Sequence, residues 1–254
     1  MFRFTVRSKH PRIGLSAAHP RRSAWPRHAL FALLSLLALN LLLPAMGTSA
    51  APVILEPHTS AFGKTYAEWS AAWWQYTLSF PTATSPFLDA TGANCPVGQN
   101  QQSPVFFLVG NAFSSDPVQR DQCVVPAGKA LFFPIINVVD VNTTSQTAAE
   151  LRLEIKPVED GAHNLHASID GVNVPDPAAF RTPSTVFSLA LPVGNVFGLT
   201  PGTYSPAVAD GYYLLVAPCR RARTRSRSVE STAAASYRAS RTTWWSADDR
   251  RALN

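Results

Sequence analysis

The stretch that decides the fold class is Gln122-Cys123-Val124-Val125-Pro126-Ala127-Gly128-Lys129-Ala130-Leu131-Phe132-Phe133-Pro134-Ile135-Ile136. It contains two short apolar runs, 122–125 and 130–136, separated by a Pro-Ala-Gly-Lys segment that suits a tight turn. Short apolar runs bounded by turn residues are typical of β-strands. This stretch therefore predicts two neighbouring strands.

The same pattern recurs between Pro81 and Pro218. Asp170-Gly171 is a strong hairpin signal, since both residues tolerate the positive φ of a two-residue turn. The segment 151–156 is also compatible with the end of a short helix that starts near Thr147, and 137–150 is polar enough to be a loop with some helix. The candidate strands are Val105–Val109, Gln122–Val125, Ala130–Ile136, Leu151–Lys156, Leu165–Ile169, Thr185–Leu191 and Tyr212–Ala217. So many short strands predict an all-β fold, an antiparallel β-sandwich or jelly-roll-like domain.

One helix is expected before these strands, over about 65–80. Thr65 and Glu68 have the spacing of a capping box, and Pro81 ends the helical pattern. Aromatic side chains recur every three or four residues along one face, at Tyr66, Trp69, Trp73, Tyr76 and Phe80. The prediction is an N-terminal aromatic helix packed on the sheet.

Residues 1–50 have the organisation of a secretory signal peptide. Seven basic and no acidic residues are followed by an apolar run, 29–43, and then by Gly47-Thr48-Ser49-Ala50-Ala51. The run is shorter than the roughly 20 apolar residues that usually cross a bilayer, which disfavours a membrane anchor. We expect cleavage after Ala50 or Ala51, a secreted or periplasmic protein and no membrane association after cleavage. Arg21-Arg22 leaves Sec and Tat export both open.

Export to an oxidising compartment predicts a disulfide between Cys95 and Cys123. The loop that it closes would contain one strand. Two cysteines without a Cys-x-x-Cys spacing or clustered histidines do not favour a metal site.

The charge of the chain is concentrated at its ends. The net charge is +6, but the segment 51–218 has six basic and 13 acidic residues, whereas 219–254 has nine arginines and three acids. A domain of net negative charge gives no reason to expect nucleic-acid binding.

The composition changes abruptly at Pro218. Residues 219–254 contain no Pro and no Gly, and Arg, Ser, Ala and Thr dominate them. One interpretation is a disordered Arg/Ser tail that binds polyanions. The other, which the break inside an expected hairpin favours, is a frameshifted and disordered tail that follows a β-rich domain, 51–218, lacking its last strands.

Four motifs carry a resemblance to a known family. They are Tyr66-Ala67-Glu68-Trp69 with Trp73-Trp74-Gln75, Thr91-Gly92-Ala93-Asn94-Cys95, Gly128-Lys129-Ala130-Leu131-Phe132-Phe133-Pro134 and Ala209-Asp210-Gly211-Tyr212-Tyr213. Over roughly 64–218 the chain resembles a group of uncharacterised exported bacterial proteins that has no established activity. Members of that group continue beyond the position of Pro218 into a Pro-Gly turn and two further strands, and this chain departs there.

The weak candidates for binding are Glu68, Trp73, Trp74 and Gln75. Trp73 and Trp74 could stack on sugar rings while Glu68 or Gln75 hydrogen-bonds hydroxyls. The competing interpretation, which helical spacing favours, is that the aromatic stripe packs the helix onto the sheet. Trp74, at the edge of the stripe, is the better candidate for exposure.

Other chemistry has little support in the sequence. His163 and His166 would point to opposite faces of a strand, which disfavours joint metal ligation. Gly128-Lys129 lacks the rest of a phosphate loop. We expect no metal and no cofactor.

The sequence therefore predicts an exported β-sandwich module with a non-enzymatic binding or structural role. Its partner would be a glycan or an envelope protein. The alternative is a secreted hydrolase of polysaccharide or ester, using acids such as Glu68 or Asp140.

Overall fold

The structure is a computed structural model that describes residues 51–110 and 120–218, together with the backbone of 229–233. Its elements are the helices α1 (Tyr66–Thr77) and α2 (Ala148–Asp160), two 3₁₀ turns (Thr82–Thr84 and Pro177–Phe180) and seven strands. The strands are β1 (Val105–Phe107), β2 (Ala130–Val141), β3 (Leu165–Ile169), β4 (Val172–Asn173), β5 (Phe187–Leu191), β6 (Gly202–Val216) and β7 (Val229–Ala233). The predicted signal peptide, 1–50, lies outside the described residues. No helix in the described ranges is long and apolar enough to cross a membrane.

The strands form two sheets, and the fold is rich in sheet. The larger one is a curled mixed sheet with the order β1-β2-β6-β5, and the smaller one has the order β4-β3-β7. β1 runs parallel to β2, whereas β6 is antiparallel to both of its neighbours. The purely antiparallel arrangement predicted from sequence is therefore wrong at β1.

β6 is the central strand of the larger sheet. Every residue from Ala207 to Val216 is buried, so both faces of the strand are covered. β2 pairs with it from Leu131 to Val141, with a bulge between Pro134 and Ile136. The apolar run at the end of this strand explains why 212–217 is recognisable in the sequence, although the strand begins ten residues earlier.

The helices α1 and α2 lie on opposite faces of this sheet. Adjacent residues in a strand point to opposite faces. Trp74 of α1 donates from Nε1 to the hydroxyl of Tyr213, at 3.2 Å, while the hydroxyl of the adjacent Tyr212 donates to the carbonyl of Glu159 in α2, at 3.4 Å. The residues that surround α1 and those that surround α2 therefore lie on different faces of the larger sheet.

α1 forms as the sequence predicts. Thr65 accepts from the Glu68 amide, and the Glu68 carboxylate accepts from the Thr65 amide, which completes the capping box. Tyr66 and Trp73 are fully buried, and the Tyr66 ring packs edge-on against Phe132 of β2. The aromatic stripe thus attaches the helix to the sheet.

α2 corrects the prediction of a strand at Leu151–Lys156. Thr147 and Glu150 form a second capping box, and the helix runs on to Asp160. Leu151, Ile155 and Glu159 are its buried residues, so the buried positions repeat every four residues, as a helix requires. The helical alternative starting near Thr147 is confirmed.

Two further local predictions have clear outcomes. Asp170 and Gly171 both have positive φ and connect β3 to β4, which confirms the hairpin. Gln122–Val125, which the sequence predicts as a strand beside β2, is not a strand. The strand that pairs with β2 at this edge of the sheet is β1.

Cys95 and Cys123 form a disulfide, as predicted. The 28-residue separation includes β1, and Cys95 is buried. The bond attaches an irregular segment to the core cluster that β1 and β2 share.

In the segment 219–254, β7 is the described part. Its backbone pairs with β3 from Leu165 to Ile169. The rest of this segment lies outside the described residues, so the frameshift and the disorder stay predictions.

Candidate functional site

The structure places Trp73 and Trp74 in the core. They are 0% and 2% exposed, and Trp73 donates from Nε1 to the Leu108 carbonyl at 2.9 Å. The ring of Phe87 packs edge-on against both indoles. The expected exposure of Trp74 is wrong because Tyr213 and Phe87 cover it, so neither indole offers a face to an external sugar ring.

Glu68 is exposed at the start of α1, where its carboxylate serves the capping box. Hydrogen bonds from the backbone amide and then the hydroxyl of Thr65 hold the pKa of Glu68 below its ordinary value. A carboxylate used in this way is a poor proton donor near neutral pH. The hydrolase alternative needs a different acid.

Gln75 is exposed on α1, and its amide donates to the Ser188 carbonyl at 3.1 Å. It lines a groove of about 440 Å³ beside the helix, which we call the α1 groove. Its lining residues include three aromatic rings, three amide side chains and one lysine: Trp69, Tyr76, Phe107, Gln75, Gln99, Asn100 and Lys64. Of the four sequence candidates, Gln75 alone lines it.

Tyr76 and Gln99 are fixed in place within this groove. The Tyr76 hydroxyl donates to the Val97 carbonyl at 2.8 Å and accepts from Gln99 Nε2 at 3.0 Å. Gln99 also accepts from the Phe107 amide at 3.1 Å, and the rings of Tyr76 and Phe107 lie 5.5 Å apart. The groove therefore has a rigid aromatic wall before any ligand arrives.

Three exposed side chains in the groove lining carry an amide or an ammonium group, and they are Gln75, Asn100 and Lys64. An amide both donates and accepts hydrogen bonds, and an ammonium only donates. Rings combined with such groups suit a ligand that has an apolar face and hydroxyls at its rim, because each part of the ligand finds a matching partner.

A second concave site lies against α2, and we call it the α2 cavity. It measures about 270 Å³ and is lined by Arg152, Ile155, Lys156, Arg181, Pro183 and Asp210. Arg181 joins three segments here, since its Nη1 contacts Asp160 at 2.7 Å and its Nη2 contacts Asp210 at 2.8 Å. Arg181 and Asp210 are 29 residues apart in the chain, so no local pattern in the sequence marks them as partners.

Glu159 is buried beside this cavity. It is 1% exposed, and neither carboxyl oxygen has a hydrogen-bond partner among the described residues. Burial, and then the nearby Asp210 carboxylate, raise the pKa of Glu159 to about 8, although Arg181 acts in the opposite direction. The signal in the sequence is the spacing of Leu151, Ile155 and Glu159, which puts an acid on the apolar face of the helix.

The histidine pair is not part of either site. His163 has its Nδ1 3.0 Å from the Gly161 carbonyl oxygen, and His166 is exposed on β3. Across 51–110 and 120–218, no group of three or more metal-ligating side chains comes together.

Comparison with known proteins adds no relative. No protein-family model matches the chain, and no curated protein or solved structure is significantly similar to it.

Proposed function

We propose that the protein is an exported, non-enzymatic binding module that holds a glycan in the α1 groove. The observation that carries this proposal is the combination of a fixed aromatic wall, Tyr76 and Phe107, with exposed amides at Gln75 and Asn100. Aromatic surface buries the apolar face of a sugar ring, while amides exchange hydrogen bonds with its hydroxyls. This moves the predicted sugar contact from Trp73 and Trp74 to Tyr76 of α1 and Phe107 of β1.

Export is part of the same proposal. A basic segment, an apolar run and small residues precede Ala51, and the Cys95–Cys123 disulfide is compatible with an oxidising compartment. Fractionation of cells expressing the full chain tests it, and amino-terminal sequencing should find a start at Ala51 or Pro52. A cytoplasmic protein that begins at Met1 contradicts export.

The sandwich or jelly-roll architecture also stays a proposal. In its favour, β3 of the smaller sheet contributes Ala167 and Ile169 to the core cluster that contains the larger sheet. An experimental structure of the secreted chain tests this arrangement.

A glycan array followed by titration calorimetry tests the binding function. We expect the full chain to bind a neutral or weakly charged oligosaccharide, and the double variant Gln75→Ala/Asn100→Ala to bind it at least tenfold more weakly. Gln122→Ala, an exposed amide outside the groove, is the matched control and should bind like the parent. Equal loss in the control and the double variant contradicts a site in the groove.

The same ligands distinguish binding from hydrolysis. Incubation with the full chain should release no shorter sugars, measured by chromatography. Release of shorter sugars by the full chain would replace the binding proposal with the hydrolase alternative.

A further inference from the structure

The α2 cavity has three positively charged side chains in its lining. Arg152 and Lys156 lie one turn apart on α2, and Arg181 approaches from the segment that follows the second 3₁₀ turn. Asp210 is the acidic residue of the lining, and Ile155 and Pro183 complete it. The cavity is therefore mainly basic, although 51–218 is acidic as a whole.

The carboxylates around this cavity do not balance all three cations. Arg181 pairs with both Asp160 and Asp210, and Lys156 pairs with the same Asp160. Among the described residues, two carboxylates thus face three cations, which leaves an excess of one positive charge.

Arg152 carries that excess. Its Nη2 donates to the carbonyl oxygen of Ser184 at 2.6 Å, and within the described ranges it forms no ion pair. A guanidinium has five N–H donors, and a carbonyl oxygen does not neutralise its charge. Arg152 is therefore positioned by one hydrogen bond while it retains donors and charge for a ligand.

Glu159, the remaining nearby acid, does not supply the missing charge at neutral pH. Its pKa of about 8 leaves it mostly protonated, since burial disfavours the carboxylate. Glu159, on the side of α2 that faces the sheet, therefore does not neutralise the excess positive charge of the cavity.

We propose that the α2 cavity binds the oxyanion group of a small molecule, with Arg152 as its principal ligand and Lys156 as the second cation. The planar guanidinium matches carboxylate, sulfate and phosphate oxygens in a bidentate manner, and lysine adds charge with less directional demand. Ile155 and Pro183 provide apolar surface for the body of the ligand. This site is separate from the α1 groove, so the proposal does not depend on glycan binding there.

Titration of the full chain with four probes tests the site. Sulfate, phosphate, acetate and glucuronate are each compared with sodium chloride at equal ionic strength, so that simple screening cancels. Binding is followed by calorimetry and by the methyl resonances of Ile155, whose side chain lines the cavity. We expect at least one probe to bind saturably and to shift the methyl resonances of Ile155. Which of the four probes bind then identifies the chemical class of the oxyanion.

Arg152→Gln should lower the affinity for that probe at least tenfold, and Lys156→Gln should lower it several-fold. Lys156 is exposed, so this second variant reports on the site even if Arg152→Gln folds poorly. Lys129→Gln removes a cation outside the cavity and should bind like the parent. The proposal is overturned if no probe exceeds the chloride control, or if Lys156→Gln and Arg152→Gln bind as the parent does.

Discussion

Arg181 contacts the carboxylate of Asp210 with two nitrogens, and the distances to Oδ2 are 3.2 Å from Nε and 2.8 Å from Nη2. Asp210 lies in the buried part of β6 and is 6% exposed. The same guanidinium reaches Asp160 at the end of α2. One side chain therefore connects the central strand, the end of a helix and the segment that follows the second 3₁₀ turn.

Removal of Arg181 should destabilise the fold through Asp210. Arg181→Met leaves a buried carboxylate without its cation, and we expect a loss of about 2 kcal/mol in the free energy of unfolding, less than for a fully buried pair because Arg181 is partly exposed. Urea denaturation measures this loss. Lys156→Met breaks the exposed pair with Asp160 and should cost much less. Equal losses would show that Asp210 does not depend on Arg181.

Glu159 should make stability depend on pH. Its pKa is about 8 in the folded chain, against an ordinary value of 4.5, so folding takes up a proton between these values. The free energy of unfolding therefore falls as pH rises from about 4.5 to about 8, by up to about 1.4 kcal/mol per pH unit, and this contribution levels off above that. Denaturation at a series of pH values should show a flatter profile for Glu159→Gln. An unchanged slope in the variant would assign the dependence to another group.

The buried aromatic face of α1 should contribute to the free energy of unfolding, whereas the exposed face of the same helix should contribute little. Trp73→Ala removes a fully buried indole and its hydrogen bond to Leu108, and we expect a loss of about 3–5 kcal/mol. Gln75→Ala, two positions along the same helix, should remain close to the parent in thermal denaturation. A large loss in Gln75→Ala would mean that its contact with Ser188 is structural.

The disulfide should stabilise the domain by about 3–4 kcal/mol on the chain-entropy account of a loop of this length. The double variant Cys95→Ser/Cys123→Ser should lose this amount in urea denaturation without reductant. Both proteins should carry Cys219→Ser to prevent exchange. Reductant should then lower the stability of the parent and leave the double variant unchanged, and the opposite pattern would contradict the pairing.

Gly211 should not tolerate a side chain. A Cβ at this position would lie 2.5 Å from the Cβ of Asn137 and 2.7 Å from the carbonyl oxygen of Ile136, both on β2. The paired backbone cannot move away cheaply, so Gly211→Ala should cost about 1–3 kcal/mol. Gly110→Ala would meet no atom of the described residues within 4 Å and is the matched control. Similar thermal stabilities for the two variants would contradict the close approach of the strands.

Local signals in the sequence are sufficient to predict α1 and the β3–β4 hairpin. The Thr65/Glu68 capping box and the aromatic spacing act within one helix, and Asp170-Gly171 acts within one turn. Such features form from neighbouring residues, so they can be recognised without knowing the fold.

The sequence leaves 151–156 open between a strand and the end of a helix, since Leu151, Leu153 and Ile155 alternate with charged residues. A period of two competed with the Thr147/Glu150 capping box, and the structure shows that the box was the better signal. Pro157 lies inside the helix, although proline disfavours helix interiors. Leu153 is 70% exposed, which explains how the misleading alternation arises.

Neither candidate site could be recognised without the tertiary structure. The α1 groove brings Gln75 of α1 beside Gln99 and Phe107, and the α2 cavity brings Arg152 beside Arg181 and Asp210. None of these pairs has a characteristic spacing along the chain. Gln75 was a candidate through its position beside Trp74, and the cavity residues had no signal beyond the unusual Glu159.

The position of β6 in the chain has a consequence for the timing of folding. β2 and β5 are both synthesised before β6, yet each of them pairs with β6 in the larger sheet. Until residue 216 has been made, the ribosome carries two apolar strands without their common neighbour. The larger sheet must therefore assemble late, after nearly all of the described chain is available, and its dependence on distant pairings makes that assembly slow.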